Sequence, residues 1–431
     1  MQPEVNSKKY IDIIPERWFV DFFASHPIFF KSIVSKFYPL SHFYLEKYCH
    51  QLNWKNLSAN EELNWNVELI EKYKDRWDWA EISSNKKIPW TIELIEKFED
   101  KVRWIYLSDN SAIPWTIKLI ANFKKWHWPY LSRNSNMPWS IELIERFQRG
   151  WNWGKCQWGK KDYFEMGISG NPDLPWSMNL IEKFKNDLNW GCLSENPNLP
   201  CSNELIEKYQ DKWRWGFNGL SENPCLPWSI EFFEKHIDKW HWGIHHFPGL
   251  SGNPNFPWSV EVIEKYDTKW NWQSLSENKG LPWSIQLIEK FKDRWHWSAL
   301  SSNESLPWTI ELFETFQSKW DWGRMSGFGL SSNCKLPWTM ELIENNKNKW
   351  NWKSGWGSMS MNSGLPWTID LIEKYKDKIN WRHPLNFPWS IELISKYRVR
   401  LPINKTIWQR VFKDHVNDKI LEETFTRTIN K

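Results

Sequence analysis

The stretch Leu281-Pro282-Trp283-Ser284-Ile285-Gln286-Leu287-Ile288-Glu289-Lys290-Phe291-Lys292-Asp293-Arg294-Trp295-His296-Trp297, continued by Ser298-Ala299-Leu300-Ser301-Ser302-Asn303, is one full copy of a motif that recurs through most of the chain. Ser284 suits a helix N-cap, because its hydroxyl can accept from an orphan N–H of the first turn. Pro282 excludes helix just upstream. Counted from Ser284, apolar residues stand at +1, +3, +4, +7 and +11, with charged and polar ones between them. That is a one-sided stripe at helical spacing, and it predicts a first helix (helix A) of about three turns. Glu at +2 and Lys at +6, as in Glu93 with Lys97, Glu231 with Lys235 and Glu261 with Lys265, are expected to pair along that helix. Each such pair contributes only about 0.2–0.5 kcal/mol. Asn or Asp is common at +12 (Asn271, Asp321, Asn351), which predicts a second N-cap and a shorter helix B ending at the Leu-Ser.

Working outward, the anchor Trp returns at Trp90, Trp115, Trp258, Trp283 and Trp308 among others, with Cys201 in its place once. About thirteen copies at a period of roughly 25 residues identify an all-α solenoid of two-helix repeats. Residues 54–397 form the array, and residues 1–53 and 398–431 are expected to be its N- and C-terminal helical caps. The 38 Trp follow from the small size of the unit. Two short helices bury little surface, and each Trp adds ~150–250 Å² of contact. An Asn stands five residues before the next anchor in nearly every copy, Asn278 and Asn303 being examples. Asn ends helices readily, and a column of them is placed to bond the neighbouring backbone.

Net charge is +4, from 56 basic and 52 acidic residues, too even to argue for nucleic acid or an anionic membrane. No apolar run reaches the roughly 18 residues of a membrane span, so no membrane insertion is expected. The polar start MQPEVNSKKYIDIIPERW lacks the apolar core of a secretory signal. Six cysteines without CxxC spacing predict neither disulfide staples nor a zinc site, and a cytoplasmic location follows.

The string Lys269-Trp270-Asn271-Trp272-Gln273-Ser274-Leu275-Ser276-Glu277-Asn278, then Leu281-Pro282-Trp283, resembles the W-[DN]-W-x-x-L-S-x-N-P tandem repeats of uncharacterised proteins from giant DNA viruses and some bacteria. The likeness spans about Trp54 to Trp389. This chain departs from it in its longer ELIEK-type helix A, and Pro follows the Asn only at Pro172, Pro197, Pro224 and Pro254. The resemblance implies a helical repeat and no particular activity.

Catalysis needs one set of residues in one place, so whatever recurs in every copy is read as structural. No GxGxxG, P-loop, GxSxG, HExxH or CxxC motif is present, and no catalytic residue, cofactor or metal is assigned. His236, His241, His245 and His246 cluster, and His241 and His245 have i,i+4 spacing that can share a metal. Partner contact or plain surface is the simpler reading. The irregular places carry more. Insertions at 154–167, 216–219, 243–249, 323–329 and 353–358 all fall between the WxW pair and the Leu-Ser, on one edge of the solenoid. They hold Trp158, Lys160, Lys161, Tyr163, Phe164, His245, His246, Phe247, Arg324, Phe328 and Trp356 as candidate partner-binding residues. Packing of these aromatics back onto the array is the alternative. The variable pair inside helix B, such as Ile105-Tyr106, Gln273-Ser274 and Ser298-Ala299, is a second candidate surface. The sequence therefore predicts a non-enzymatic scaffold or adaptor that binds another protein or itself. Single-stranded nucleic-acid binding is the alternative, followed by an enzyme or metal-binding protein.

Overall fold

The structure, a computed structural model, describes residues 16–154, 166–244, 247–323, 329–352, 357–381, 387–397 and 405–429. It is all-helical: among the described residues the only extended pairing is a single bridge between Ile244 and Phe247. The chain divides into two compact bodies, one of residues 1–138 with 389–431 and one of residues 139–388. Both are built from the same repeat.

Helix A is shorter than its hydrophobic stripe predicts. In the Trp283 repeat it runs Ile285–Lys290, six residues, with Ser284 Oγ accepting from Leu287 N–H at 3.1 Å. A turn then brings Trp295 back onto the helix it follows. Its indole N–H donates to the Ile288 carbonyl at 3.1 Å, satisfying one of the orphan acceptors of the last turn. Trp77, Trp270, Trp320 and Trp350 make the same bond. Trp295 is thus a cap as well as core, which is why the stripe extends to +11 although the helix does not. Helix B follows as expected, for instance Trp272–Glu277, with Asn271 Oδ1 accepting from Ser274 N–H at 2.8 Å.

Repeats adhere through three columns of contacts. The first is aromatic. Trp295 lies 5.1 Å from its own anchor Trp283 and 4.9 Å from Trp272 of the preceding repeat, ring centre to ring centre. Aromatic pairs of this kind contribute about 0.5–1.5 kcal/mol beyond the area they bury. The second column is polar and buried. Asn278 Nδ2 donates to the carbonyls of Ser251 (2.8 Å) and Asn253 (3.2 Å) in the preceding repeat, while its Oδ1 accepts from Gly280 N–H (2.7 Å). Asn303 repeats the pattern one period on, with Ser276 (2.9 Å) and Asn278 (3.1 Å). In the third column the Ser of Leu-Ser is a relay. Ser276 Oγ donates to Trp272 O at 2.7 Å and accepts from His296 N–H of the next repeat at 2.9 Å.

The expected intrahelical ion pairs are replaced by pairs between repeats. Lys97 bonds Glu71 (2.6 Å), Lys265 bonds Glu234 (2.6 Å), and Lys235 bonds Glu207, each reaching from +6 to the +5 carboxylate of the repeat before. The +2 carboxylates of Glu93 and Glu261 are held instead by the N-cap hydroxyls of Thr91 and Ser259 and by their own backbone N–H, which lower their pKa. All these pairs are exposed, so solvent screening leaves them little net effect on stability.

One further feature differs from expectation. A disulfide joins Cys201 and Cys225, whose Cα atoms are 5.8 Å apart. Their separation of 24 residues is one repeat, so stacking brings together two positions whose sequence spacing matches no staple motif. The flanking segments, expected to cap the array, meet one another in the first body. Helices α1 (Glu16–Ser25), α2 (Pro27–Phe37) and α3 (His42–Tyr48) lie against the C-terminal helix (Asp418–Ile429). Phe425 packs on Phe30 and Tyr48 at 4.8 and 4.2 Å, and Phe412 packs among Phe22, Phe23 and Phe29.

Candidate interaction surface

The insertion edge exists because of one conserved bond within each repeat. In an uninterrupted copy Leu275 N–H donates to Asn271 O at 2.9 Å, an ordinary helical bond. Where residues are inserted, the same two positions still bond: Leu250 N–H to His241 O at 2.7 Å, and Leu330 N–H to Asp321 O at 2.9 Å. The loop is spliced into the first turn of helix B, and a single short turn remains, 3-10 at Gly249–Gly252 and Leu330–Ser332 and α-helical at Gly167–Gly170. Gly243 and Gly249 form the neck of one loop with φ of 108° and 53°. A side chain at Gly249 would collide with the His241 carbonyl, so this neck requires glycine. Core bonding is therefore independent of loop content.

Of the residues singled out on this edge, Trp158, Lys160, Lys161, Tyr163, Phe164, His245, His246, Arg324, Phe328 and Trp356 lie outside the described residues. Phe247 is described and is 41% exposed; Ile244 beside it is 57% exposed. Phe247 meets Phe217 from the insertion of the preceding repeat edge to face, with ring centres 4.1 Å apart. Two consecutive loops thus join into one apolar knob. On the helix B face Ile105 (41%) and Tyr106 (48%) are exposed. Elsewhere the variable pair is partly consumed by packing, since Ser274 and Ala299 are buried. At those two repeats the second variable position faces the stack of short helices, whereas at Tyr106 it does not.

Beneath the knob lies a charged group that the sequence reading missed. Glu195 and Glu222 occupy the x of Leu-Ser-x-Asn in successive repeats. Arg214 Nη1 donates to Glu195 Oε1 at 3.3 Å and to Asn218 O at 3.4 Å, and Glu222 Oε1 accepts from Gly249 N–H at 3.3 Å. Burial pushes the Glu195 carboxyl up to about 7; the Arg214 guanidinium opposes the rise and Glu222 adds to it. Burial raises Glu222 as well, against the N–H bonds of Gly249 and Asn218. Their repeat position was a signal, but a variable one: the same x is Ala59, Ser84 or Met361 elsewhere.

The anchors belong to the core. Trp90 and Trp115 are buried, Trp258, Trp283 and Trp308 are partly buried, and no described Trp is exposed. The indoles of Trp258, Trp283 and Trp308 donate to the carbonyls of Asn253, Asn278 and Asn303. In several repeats the second Trp of the pair is covered by a cation of the next repeat, as with Arg294 over Trp272 (5.1 Å) and Lys269 over Trp242 (5.2 Å). These faces are already occupied and are not free stacking platforms. His236 sits where other repeats carry Phe or Tyr, packed between Trp215 (4.8 Å) and Phe232 (5.1 Å). Among the described residues no group of His, Cys, Asp and Glu is arranged to hold a metal, and no helix is long and apolar enough to cross a membrane. No protein-family profile, curated protein or solved structure matches the chain.

Proposed function

We propose that the chain is a non-enzymatic, cytoplasmic scaffold that binds another protein through its loop edge and short-helix face. The observation that carries this is a division of labour. The recurring Trp, Asn and Ser positions described above are spent on neighbouring repeats, while Ile244, Phe247, Ile105 and Tyr106 stand exposed where repeats differ. Among the described residues, apolar exposure at a recurring position is confined to the first residue of helix A (Val67, Ile310, Met340), and in the flanking helices to Ile28 and Phe43. Aromatic residues displayed on a rigid frame are typical binding anchors. Cys201 and Cys225 form a disulfide in the structure; a reducing cytoplasm would open it, and the Asn223 bonds to Ser194 and Asn196 still join their repeats.

The test is affinity purification from the native cell with three forms of the full chain: wild type, Ile244→Ser/Phe247→Ser, and Ile105→Ser/Tyr106→Ser. A protein recovered with wild type and lost with one surface variant of unchanged helicity is the expected result. Equal recovery with all three forms, or recovery of no specific protein, refutes the reading. Salt-sensitive retention on single-stranded RNA or DNA would instead favour nucleic-acid binding.

A further inference from the structure

The C-terminal helix carries the register of a helix A although it lies outside the repeat array. Asn417 is its N-cap, accepting from Ile420 N–H at 3.0 Å, as Ser284 accepts from Leu287 N–H. Ile420 and Leu421 at +3 and +4 are fully buried, like Leu287 and Ile288. Glu422 stands at +5. In the array a +5 carboxylate receives the +6 lysine of the following repeat, and Glu422 receives Lys47. Lys47 is itself the +6 residue of α3, counted from its N-cap Ser41, and Glu46 at +5 receives Lys72 at 3.0 Å. The ionic column therefore runs from the C-terminal helix to α3 and into the first repeat without a break in register.

The helix B half of this extra repeat comes from the other end of the chain. Ser35 in α2 accepts from Asn53 N–H at 2.9 Å, and its carbonyl accepts from Asn60 Nδ2 at 3.0 Å. Those are the bonds Ser276 makes with His296 and Asn303. One complete repeat equivalent is assembled from α2 and the C-terminal helix, which are remote in sequence. Charges across the junction are complementary: Glu16 with Lys419 and Asp21 with Arg427, both at 2.6 Å.

We propose that α1–α3 form a receptor face for a helix of this register, that the chain's own C-terminal helix is its resident ligand, and that the C-terminal helix of a second copy is its alternative ligand. The face is recognised by side chains of the helix and by Phe412 of the segment just before it. Tethering at short range gives an effective concentration on the order of millimolar, so closure within one chain prevails in dilute solution. Weakening that closure makes the same face join two copies by exchanging the helix. This self-association route is independent of the loop edge.

Reciprocal charge reversal in the full chain tests it. One variant carries Glu16→Lys, Asp21→Lys and Lys47→Glu; the other carries Lys419→Glu, Glu422→Lys and Arg427→Glu. Each alone holds three like-charge pairs across the junction, whereas exchange between the two restores every pair. The variants are unfolded and refolded together, and dimer is measured by light scattering and native mass spectrometry. A mixed dimer at least about tenfold more abundant than in either variant alone is expected, with the six-substitution chain monomeric and as helical as wild type. If the single sets fail to fold alone, co-refolding must rescue them. A mixture that behaves as the sum of its parts, or a six-substitution chain no more stable than the two sets, overturns the proposal.

Discussion

Replacing Asn278 with Ala removes a side chain that is 2% exposed and makes three hydrogen bonds, two across a repeat boundary. The consequences for its partners differ. The Asn253 carbonyl keeps the indole N–H of Trp258 at 2.8 Å. The Ser251 carbonyl loses the bond that Asn278 supplies in a buried site, whereas Gly280 is exposed and its N–H can turn to water. At about 1–3 kcal/mol for a buried group left unsatisfied, the loss is about 1–3 kcal/mol. Asn278→Asp is expected to cost more, since a carboxylate oxygen would face the two carbonyls that Nδ2 now serves. Urea unfolding followed by far-ultraviolet circular dichroism gives the total. Because arrays melt in segments, amide exchange at Gly280 and in the Asn253 and Asn303 repeats gives the local figure. A loss below about 0.5 kcal/mol, the scale of an ordinary surface change, would refute the claim that the Asn column holds the repeats together.

Three further outcomes are expected. Burial first, then Lys239 and Lys235, hold the His236 imidazole below its usual value, with Glu207 opposing. A folded pKa below the unfolded one makes stability fall as pH drops below about 6.5, so His236→Phe should flatten melting temperature between pH 7 and 5. Glu195 has the opposite sign. Its folded value is raised to about 7, so it withdraws stability as pH rises from about 4.3 through 7, and Glu195→Gln should flatten melting temperature between pH 5 and 8. Acrylamide should quench only a small part of the native Trp emission, because no described Trp is exposed; quenching close to that of the urea-unfolded chain would contradict the packed Trp column.

Much of the fold is legible because it is local and periodic. Ser284 as N-cap, the burial of Leu287 and Ile288, and Asn271 capping helix B all follow from spacing within a few turns. The length of helix A was misread, since Trp295 continues the stripe while acting as a cap on Ile288. The insertion edge was legible as a place, and Phe247 stands exposed on it. Glu195 and Glu222 were not legible, because a variable position announces neither burial nor the partner it will meet.

By itself the sequence determined that a helical unit of roughly 25 residues recurs, and that its +3 and +4 side chains face inward, because both depend on periods that can be counted along the chain. Tertiary structure alone decided the partners: Lys97 with Glu71 rather than Glu93, Cys201 with Cys225, and Glu422 with Lys47. Those pairings lie between repeats or between chain ends, where stacking geometry, not spacing within a helix, brings groups together. The C-terminal helix is the clearest case. Its Asn-x-x-Ile-Leu-Glu register is present in the sequence, but without a flanking Pro-Trp only the packed structure places it beside α3.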